Sequence, residues 1–371
     1  MCAPGIAFYV SGHGFGHASR QVEIINALGA RRPEVRLFVR SSVAEWLLRR
    51  TITAPFELDS RPVDTGMLQI DSLRLDEEAS AEQARIFYAS FGDRAAAEAS
   101  WLRERHVDLV VVDAPPLGCE AAAHAGIPSI VIANFTWDFI YSDYAPFRAA
   151  PQVVDTIQAA YRKAEAGWRL PMHCGFQSFD TVVDVPLVAR RCLPSKPRAD
   201  VRATLGIPVD RPMVLVSFGG YSAAGPRFAR PDCLDEWTVF TTGDPGLWPD
   251  GVHVMEDADV YRRGLRYCDV VRSSDAVLTK PGYGIISECI ANDVAMLYTP
   301  RGHFVEYDVL VREMPRYLRC GFISNQELIA GRWFGPLESL RAALTPPERP
   351  RTDGADVIAK MLDERLRTAN C

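Results

Sequence analysis

The sequence lacks the features that would place it in a membrane or on an anionic partner. Its apolar runs all fall short of the roughly 20 residues that a membrane-spanning helix needs. The 371 residues carry a net charge of −6, which argues against general binding to nucleic acid or to an anionic membrane surface, because both need a basic face. The N-terminus has no basic region followed by a long apolar core. We therefore expect no signal peptide and a cytoplasmic location.

Patterns of metal ligands and of disulfide-forming cysteines are also missing. The nine cysteines include no C-x-x-C pair, so their spacing matches neither a zinc site nor a disulfide framework. We expect reduced, mostly buried thiols, with no bound metal and no resident cofactor.

What the chain does have is an alternation of strand and helix patterns over nearly its whole length. The segments 108–112, 128–133 and 213–217 are short apolar runs, typical of strands buried on both faces of a parallel sheet. Repeated strand–helix–strand order predicts an α/β protein in which helices cover such sheets.

The length and one proline-rich segment predict two domains. A chain of 371 residues is long for one core, and three prolines interrupt the pattern between 185 and 197. We predict a first domain over 1–188, a linker over 189–199 and a second domain over 200–350. A last helical segment in 351–371 could pack back on the first domain.

A glycine-rich loop with two histidines follows the first predicted strand. The sequence GHGFGH at 12–17 precedes a helical pattern. Glycines let the backbone turn sharply and let a ligand approach closely, which makes Gly14 and Gly16 candidate binding residues. The next helix aims its unpaired N–H groups and positive dipole end at the loop, so a neutral imidazole there could accept a proton. His17 and His13 are therefore candidate bases.

Two other interpretations of this loop stay open from the residues alone. The spacing G-x-G-x-G departs from the dinucleotide fingerprint, but Arg40 at the end of the second predicted strand would suit an NADP phosphate. The loop could also be a plain strand–helix turn with surface histidines.

An aspartate and an aromatic segment follow the next buried strands. Asp113 leaves the strand 108–112 at the same sheet edge as the histidine loop, where it could orient a histidine. The alternative is a turn or helix-capping role, since Asp-Ala-Pro-Pro favours turns. The aromatic segment 134–146 has no clean period and is predicted to be a loop at this edge.

The second half of the chain repeats the strand–loop–helix arrangement, with residues better suited to binding phosphate. Ser217 begins a serine–glycine loop whose N–H groups could meet a phosphate. In the segment 278–288, a strand is followed by Lys280, a glycine-rich break and a helix, and a helix N-terminus favours anions. Glu288 lies one turn into that helix and could reach ribose hydroxyls, or it could be a solvated surface residue.

Taken together, these motifs resemble those of two-domain glycosyltransferases of the GT-B architecture. GHGFGHASR at 12–20, NFTWDFIY at 134–141, DVPLV at 184–188 and KPGYG at 280–284 with Ser287 and Glu288 resemble the N-terminal, glycosyltransferase-like region of plant L-arabinokinases and related bacterial proteins. The likeness covers about the whole chain. It implies two Rossmann-like domains facing a cleft, and it does not extend to the galactokinase-like region of the plant proteins, so kinase activity is not implied.

The resemblance implies a role for each motif. His17 would be the catalytic base, with His13 as the second choice, and Asp113 would be its partner. The activity implied is inverting, metal-independent transfer from a nucleotide diphosphate sugar, with UDP expected from the wider family, to an acceptor hydroxyl. The residues implied to bind the nucleotide sugar are Gly14, Gly16, Ser217, Gly219, Gly220, Lys280, Gly282, Tyr283, Gly284, Ser287, Glu288, His303 and Glu306.

The sequence also departs from the wider family. The long plant signature around the nucleotide base is absent, and KPGYG at 280–284 stands in its place, so these residues do not themselves select UDP. Two other functions are compatible with the architecture. One is a non-hydrolysing UDP-sugar 2-epimerase, and the other is a non-catalytic module that senses a sugar or nucleotide sugar.

Overall fold

The computed structural model describes residues 3–70, 74–190, 192, 196–218 and 227–368. Its contacts divide the chain into two units. The first consists of Met1–Leu68, Asp76–Ala189 and Arg351–Cys371, and the second of Gln69–Leu75 and Arg190–Pro350. Gly219 and Gly220, two of the predicted phosphate-binding residues, lie outside the described residues.

The first unit is an α/β unit. Its strands are β1 (Gly5–Val10), β2 (Arg36–Ser41), β3 (Phe56–Ser60), β4 (Leu109–Asp113), β5 (Ser129–Ala133), β6 (Ala166–Arg169) and β7 (Val182–Asp184). Its helices are α1 (Phe15–Arg31), α2 (Glu45–Thr51), α3 (Glu77–Ala89), α4 (Phe91–Glu104), α5 (Pro116–Ala125), α6 (Trp137–Ser142), α7 (Ala145–Ala149), α8 (Gln152–Tyr161) and α16 (Gly354–Thr368), where α16 is numbered by its place in the chain.

Within the described residues, these strands form one seven-stranded sheet of order β3-β2-β1-β4-β5-β6-β7. Each pair of adjacent strands runs parallel. Every residue of β1, β4 and β5 is buried, because helices such as α1 and α5 pack on the sheet. The strand order reverses between β1 and β4. The carboxyl ends of these two strands therefore lie side by side, which is where open α/β sheets place their ligands.

The prediction of a loop over 134–146 is wrong. The structure has α6 and the start of α7 there. Trp137 and Tyr141 of α6 are almost fully buried, and their rings stack at 5.3 Å between centroids. A helix buried on most sides lacks the polar face that makes a helical period visible in a sequence.

The second unit is a smaller α/β unit. Its strands are β8 (Met213–Ser217), β9 (Thr238–Thr242), β10 (His253–Met255), β11 (Ala276–Thr279), β12 (Ala295–Tyr298) and β13 (Cys320–Phe322). Its helices are α9 (Arg198–Leu205), α10 (Asp257–Arg262), α11 (Tyr267–Ser273), α12 (Tyr283–Asn292), α13 (Val305–Glu313), α14 (Asn325–Ile329) and α15 (Phe334–Arg341).

In the described part of this unit, the six strands pair in parallel in the order β10-β9-β8-β11-β12-β13. The core on one side of the sheet contains two fully buried tryptophans, Trp237 and Trp333. Their indole nitrogens donate to Glu338 and to the carbonyl of Leu328, respectively, so each buried N–H has an acceptor. The order reverses between β8 and β11, which places Ser217 beside Thr279 in register.

The helix α16 belongs to the first unit, although some 160 residues of the second unit separate it in sequence from the rest. It packs on α1, and Asp363 pairs there with Arg31 and Arg32. The chain leaves and re-enters the first unit at neighbouring positions. Leu187 donates its N–H to the carbonyl of Arg351 at 3.1 Å, and Gly354 donates to the carbonyl of Leu187 at 3.1 Å. Over the described ranges, no helix combines the length and apolarity required to cross a membrane.

Candidate active site

The candidate base and its partner meet at the point where the first sheet reverses order. Asp113 is the last residue of β4 and pairs in register with Val10, the last residue of β1. The histidine loop leaves β1 immediately after Val10. The two sequence motifs, about a hundred residues apart, are therefore adjacent because of the sheet topology.

The loop between β1 and α1 depends on glycine at Gly14. This residue precedes α1 with a φ of 82°, a conformation that side chains with a Cβ avoid. Its N–H donates to the carbonyl of Gly12 at 2.9 Å. The helix begins at Phe15. Gly16 and His17 therefore lie in its first turn, whereas the sequence had predicted them to lie in the loop.

His17 and Asp113 are brought together as predicted. His17 Nδ1 lies 3.2 Å from Asp113 Oδ1, and both side chains are buried, with 7% and 0% of their surface exposed. The imidazole also meets the edge of Phe135 at 5.3 Å between ring centroids. The interpretation of the loop histidines as surface residues is therefore wrong for His17.

A buried arginine completes this group of side chains. Arg20 lies one turn after His17 on α1 and donates to Asp113 Oδ1 and to Asn134 Oδ1. Its NH2 group lies 3.3 Å from His17 Nδ1. Asn134, at the end of β5, in turn donates to the carbonyl of Pro171 at 2.8 Å. Neither Arg20 nor Asn134 has a predicted role from the sequence, although the spacing of His17 and Arg20 puts these two residues on one face of a helix.

The arginine decides the charge of Asp113. Burial alone would raise the pKa of this carboxyl, but the charge of Arg20, the electrostatic interaction with His17 and hydrogen bonds from both residues hold the pKa below its usual value. Asp113 is therefore an anion at neutral pH. Its Oδ2 atom is buried without a hydrogen-bond partner among the described residues, so its contacts with the base are made through Oδ1.

A second buried carboxyl, Asp64, lies in the segment that follows β3. The indole nitrogen of Trp137 donates to Asp64 Oδ2 at 2.9 Å. Burial raises the pKa of Asp64, although hydrogen bonds with Ser11 and Trp137 and the proximity of His17 oppose this rise. No periodic pattern around residue 64 marked this residue in the sequence.

His13, the second candidate base, has different neighbours. Its ring meets Trp137 edge-on at 5.6 Å between centroids. A Cβ built at Gly66 would lie 2.7 Å from His13 Nδ1, so the chain at Gly66 lies directly against the imidazole. His13 thus lies beside the aromatic helix α6, whereas His17 contacts Asp113.

Arg40 does not fit the NADP interpretation. Its guanidinium is fully buried and pairs with Glu98 and Asp59, and it lies over the ring of Trp101 at 4.1 Å. A side chain engaged in this way is not available to a ligand phosphate.

In the second unit, the predicted phosphate-binding segments are neighbours across β8 and β11. The Tyr267 hydroxyl donates to Ser217 Oγ at 2.6 Å, and the Thr279 hydroxyl donates to the carbonyl of Ser217. Lys280 follows directly, and its Nζ lies 3.4 Å from Oε1 of Gln69. Ser217 and Lys280 thus extend from adjacent strand ends.

The helix α12 begins without a side-chain cap. Its N-cap residue Gly282 has an extended backbone and no side chain to accept a hydrogen bond from the helix N–H groups. A Cβ built there would meet nothing within 4 Å. Tyr283 and Gly284 form the first turn, and Ser287 is buried further along the helix. A helix N-terminus whose N-cap makes no side-chain hydrogen bond, beside open space and near Lys280, provides positive potential for an anion.

Glu288, the predicted ribose ligand, is buried and paired with an arginine. Arg190 Nε donates to Glu288 Oε1 at 2.6 Å, while Oε2 is buried with no hydrogen-bond partner in the described part of the chain. Burial raises the pKa of Glu288, although the charge and hydrogen bond of Arg190 oppose this. The alternative of a solvated Glu288 is wrong, and Arg190 had no signal in the sequence because it lies in the predicted linker.

The last predicted segment, at 300–306, divides into an exposed and a buried part. His303 is exposed. Glu306 is buried and accepts a hydrogen bond from Arg301 NH1 at 3.1 Å. The Arg301 guanidinium lies over the ring of Phe304 at 3.5 Å. Of the two predicted binding residues in this segment, His303 is therefore exposed to solvent and Glu306 is not.

One cluster of metal-type ligands occurs in the described part of the second unit. The ligand atoms of Cys192, Cys268 and Asp269 lie within 4.8 Å of one another. However, the pKa of the Cys192 thiol is raised far above its usual value by a hydrogen bond with Cys268, by burial and by the charge of Asp269. Asp269 also accepts the N–H of Arg266 at 2.7 Å. Because metals bind the thiolate, we interpret these residues as a hydrogen-bonded core cluster.

Comparisons with known proteins support the fold and the resemblance. No family model matches the chain. The chain is 33% identical to an L-arabinokinase of Arabidopsis thaliana over 374 residues, which is 98% of this chain and 35% of that protein. The chain thus spans about a third of the length of the curated relative that it matches. The resemblance to plant L-arabinokinases is confirmed.

Solved structures give the fold class. The structure of UGT2 from Phytolacca americana, complexed with UDP-2-fluoro-glucose and pterostilbene, is similar with a TM-score of 0.59 and 14% identity, over 98% of this chain and 95% of that one. The glycosyltransferase VinC in complex with dTDP is similar with a TM-score of 0.55 and 13% identity, over 98% of this chain and 96% of that one. The prediction of a GT-B fold is confirmed.

Proposed function

We propose that this chain is an inverting glycosyltransferase that moves a sugar from a nucleotide diphosphate sugar to an acceptor hydroxyl. The observation that carries the proposal is the buried pair of His17 and Asp113 at the reversal point of the first sheet. In a chain of GT-B fold, this pair supplies a base held in place by a carboxylate at a sheet edge that favours ligands.

His17 would be the base. With its Nδ1–H donated to Asp113, the Nε2 lone pair is left to take a proton. As the acceptor oxygen forms a bond to the anomeric carbon, its proton passes to Nε2, and the bond from that carbon to the diphosphate oxygen breaks. A single displacement of this kind inverts the configuration at the anomeric carbon.

The second unit would hold the donor without a metal ion. The Lys280 ammonium and the positive N-terminal end of α12 would stabilise the charge that develops on the departing diphosphate. The unpartnered Oε2 of Glu288 would accept hydrogen bonds from ribose hydroxyls. Tyr283, Gly284, Ser287, His303 and Glu306 would complete the predicted donor site. UDP is proposed as the nucleotide because of the likeness to the UDP-sugar-bound plant structure.

Ligand-induced stabilisation tests the donor site. A thermal-shift panel would hold UDP, dTDP, GDP, ADP and their sugar conjugates at millimolar concentration. A ligand of about 10–30 µM affinity should stabilise the native state by about 2–3 kcal/mol. We expect UDP or UDP-sugars to give the largest shift, and no shift with any diphosphate nucleotide would contradict the donor-site proposal.

Turnover then separates the three functions that the architecture allows. We expect the stabilising nucleotide sugar to be consumed only when an acceptor is present, and His17→Ala to abolish that consumption while retaining the thermal shift. His124→Gln, a substitution of an exposed histidine on α5, is the matched control and should leave turnover unchanged. Conversion of a UDP-sugar without any acceptor would favour the epimerase, and a donor that binds but is never consumed would favour the sensing module.

A further inference from the structure

Tyr267 contacts both halves of the predicted donor site in the second unit. Its hydroxyl donates to Ser217 Oγ at 2.6 Å, at the end of β8. Its ring lies against the guanidinium of Arg190, whose central carbon is 5.8 Å from the ring centroid, and Arg190 pairs with Glu288. One side chain therefore contacts the candidate phosphate ligand through its hydroxyl and the partner of the candidate ribose ligand through its ring.

The helix that begins at Tyr267 fixes the position of this side chain. Tyr267 is the first residue of α11, which packs on α12 and on β8. The N–H of Arg266, just before the helix, donates to Asp269 Oδ2 at 2.7 Å. Cys268 and Val271, further along α11, are buried. The ring therefore starts from a helix end that is anchored in the core of the second unit.

Ser217 is held at both of its oxygens. Thr279, its partner in register across β8 and β11, donates its hydroxyl to the Ser217 carbonyl. Tyr267 donates to Oγ. The two bonds fix the backbone and the side chain of Ser217 separately. Since Lys280 directly follows Thr279, the fixed hydroxyl lies at a strand end next to a lysine.

The chemistry of a hydroxyl group decides what Ser217 can then do. A serine hydroxyl has one hydrogen and two lone pairs. The bond from Tyr267 uses a lone pair, so the hydrogen of Ser217 stays available to an acceptor on a ligand. The accepted bond also strengthens the donor, because linked hydrogen bonds polarise one another. Burial raises the pKa of Tyr267, so the phenol keeps the hydrogen that it donates.

We propose that Tyr267 is a positioning residue of the donor site, whose hydroxyl holds Ser217 so that the Ser217 hydroxyl donates to the diphosphate of the nucleotide sugar. This inference rests on the proposed donor site, because it requires a phosphate near Ser217. Ser217 makes the contact with phosphate, and Tyr267 orients it. A tyrosine that served packing alone would need its ring and not its hydroxyl.

The experiment measures the dissociation constants of UDP and of uridine by isothermal titration calorimetry. Tyr267→Phe removes the hydroxyl and keeps the ring against Arg190. We expect this variant to weaken UDP binding by about three- to tenfold, the size of one hydrogen bond, and uridine binding by less than about twofold. Ser217→Ala should weaken UDP binding by at least as much, because it removes the contact itself.

Two comparisons separate positioning from a general loss of structure. In the double variant Ser217→Ala, Tyr267→Phe, UDP should bind as weakly as in Ser217→Ala alone, because the tyrosine hydroxyl then has nothing to position. Tyr317→Phe removes the hydroxyl of another tyrosine of the second unit whose ring lies beside an arginine, Arg316 at 5.2 Å. This control should leave both affinities unchanged.

The outcomes separate this inference from the donor-site proposal. If no diphosphate nucleotide binds to the unsubstituted protein, both are overturned. If UDP binds and Tyr267→Phe leaves its affinity unchanged, or weakens uridine equally, only the role of Tyr267 is overturned. Full additivity of the two substitutions would overturn that role as well. If Tyr267→Phe does not fold, Ser217→Ala decides: an unchanged UDP affinity overturns the inference, and a loss confined to UDP supports it.

Discussion

Arg190 Nε lies 2.6 Å from Oε1 of Glu288, and both side chains are buried in the second unit. The pair joins the segment at the start of that unit to the helix α12. One carboxylate oxygen is used by the arginine and the other is not. A ribose bound by Glu288, which stays a prediction, would therefore use Oε2.

Arg190→Met should destabilise the second unit strongly at neutral pH. A buried carboxylate that loses its cation costs about 3–5 kcal/mol. The pKa of Glu288 is raised on folding, so the stability that this group contributes is present at low pH and is lost as the pH rises through the raised value. The deficit of the variant should therefore be larger at pH 8 than at pH 5, as measured by urea unfolding at both values. Arg349→Met, which removes an exposed pair with Asp293, should change little, and equal effects of the two substitutions would contradict this interpretation.

Asp113→Asn should lower turnover while leaving the donor site intact. The amide cannot orient the Nδ1–H of His17 as a carboxylate does, and general base catalysis contributes about 10²–10⁴-fold. We expect a loss in kcat of that order with an unchanged UDP-induced thermal shift. Asp184→Asn, which alters an exposed carboxylate paired with Arg169, should retain full activity. Loss of donor binding in Asp113→Asn would mean that this residue does not act through the base.

Alanine at two glycines should separate backbone strain from ligand binding. Gly14 has a φ of 82°, so Gly14→Ala should cost about 1–2 kcal/mol of stability. Gly282 has an extended backbone with open space beside it, so Gly282→Ala should leave the unfolding midpoint unchanged. If diphosphate binds at the start of α12, the added methyl group should weaken UDP binding in the thermal-shift assay. A stable Gly14→Ala protein or unaltered UDP binding in Gly282→Ala would contradict the corresponding assignment.

The buried thiols should react slowly with Ellman's reagent in the native protein. Burial raises the pKa of Cys119 and of Cys233 to about 12, and that of Cys320 to about 11, so their thiolate fractions at pH 8 are very small. In a Cys2→Ser, Cys371→Ser background, seven thiols remain, and these are free in the structure. We expect the six buried thiols to react fully only after unfolding in guanidinium, and the half-buried Cys320 to react slowly before it. Rapid reaction of several thiols at pH 8 without denaturant would contradict the burial.

The elements and site residues that could be predicted from the sequence are those marked by a pattern of neighbouring residues. The strand predicted over 213–217 is observed with those bounds, because its apolar run begins after a proline and ends at the serine before a glycine-rich loop. His17 and Asp113 could be matched because parallel strands end at one sheet edge. The spacing in the sequence puts Arg20 on the same helix face as His17. Its partner Asp113 could be identified only from the fold.

Other residues could not be predicted because their roles arise from contacts distant in sequence. Asp64 meets Trp137 across more than seventy residues, and Arg190 meets Glu288 across almost a hundred. Neither Asp64 nor Arg190 lies in a periodic segment. The aromatic helix α6 was missed for a different reason, since burial on most sides removes the polar stripe that reveals a helix.

The packing of α16 on α1 has a consequence for how the protein is made. A ribosome that has synthesised residue 350 has completed the strands of both sheets, yet the Arg31 and Arg32 end of α1 still awaits Asp363. The amino-terminal unit therefore becomes complete last, after the unit that is translated later. Until then, the uncovered side of α1 is a surface on which a nascent chain could be bound by a chaperone.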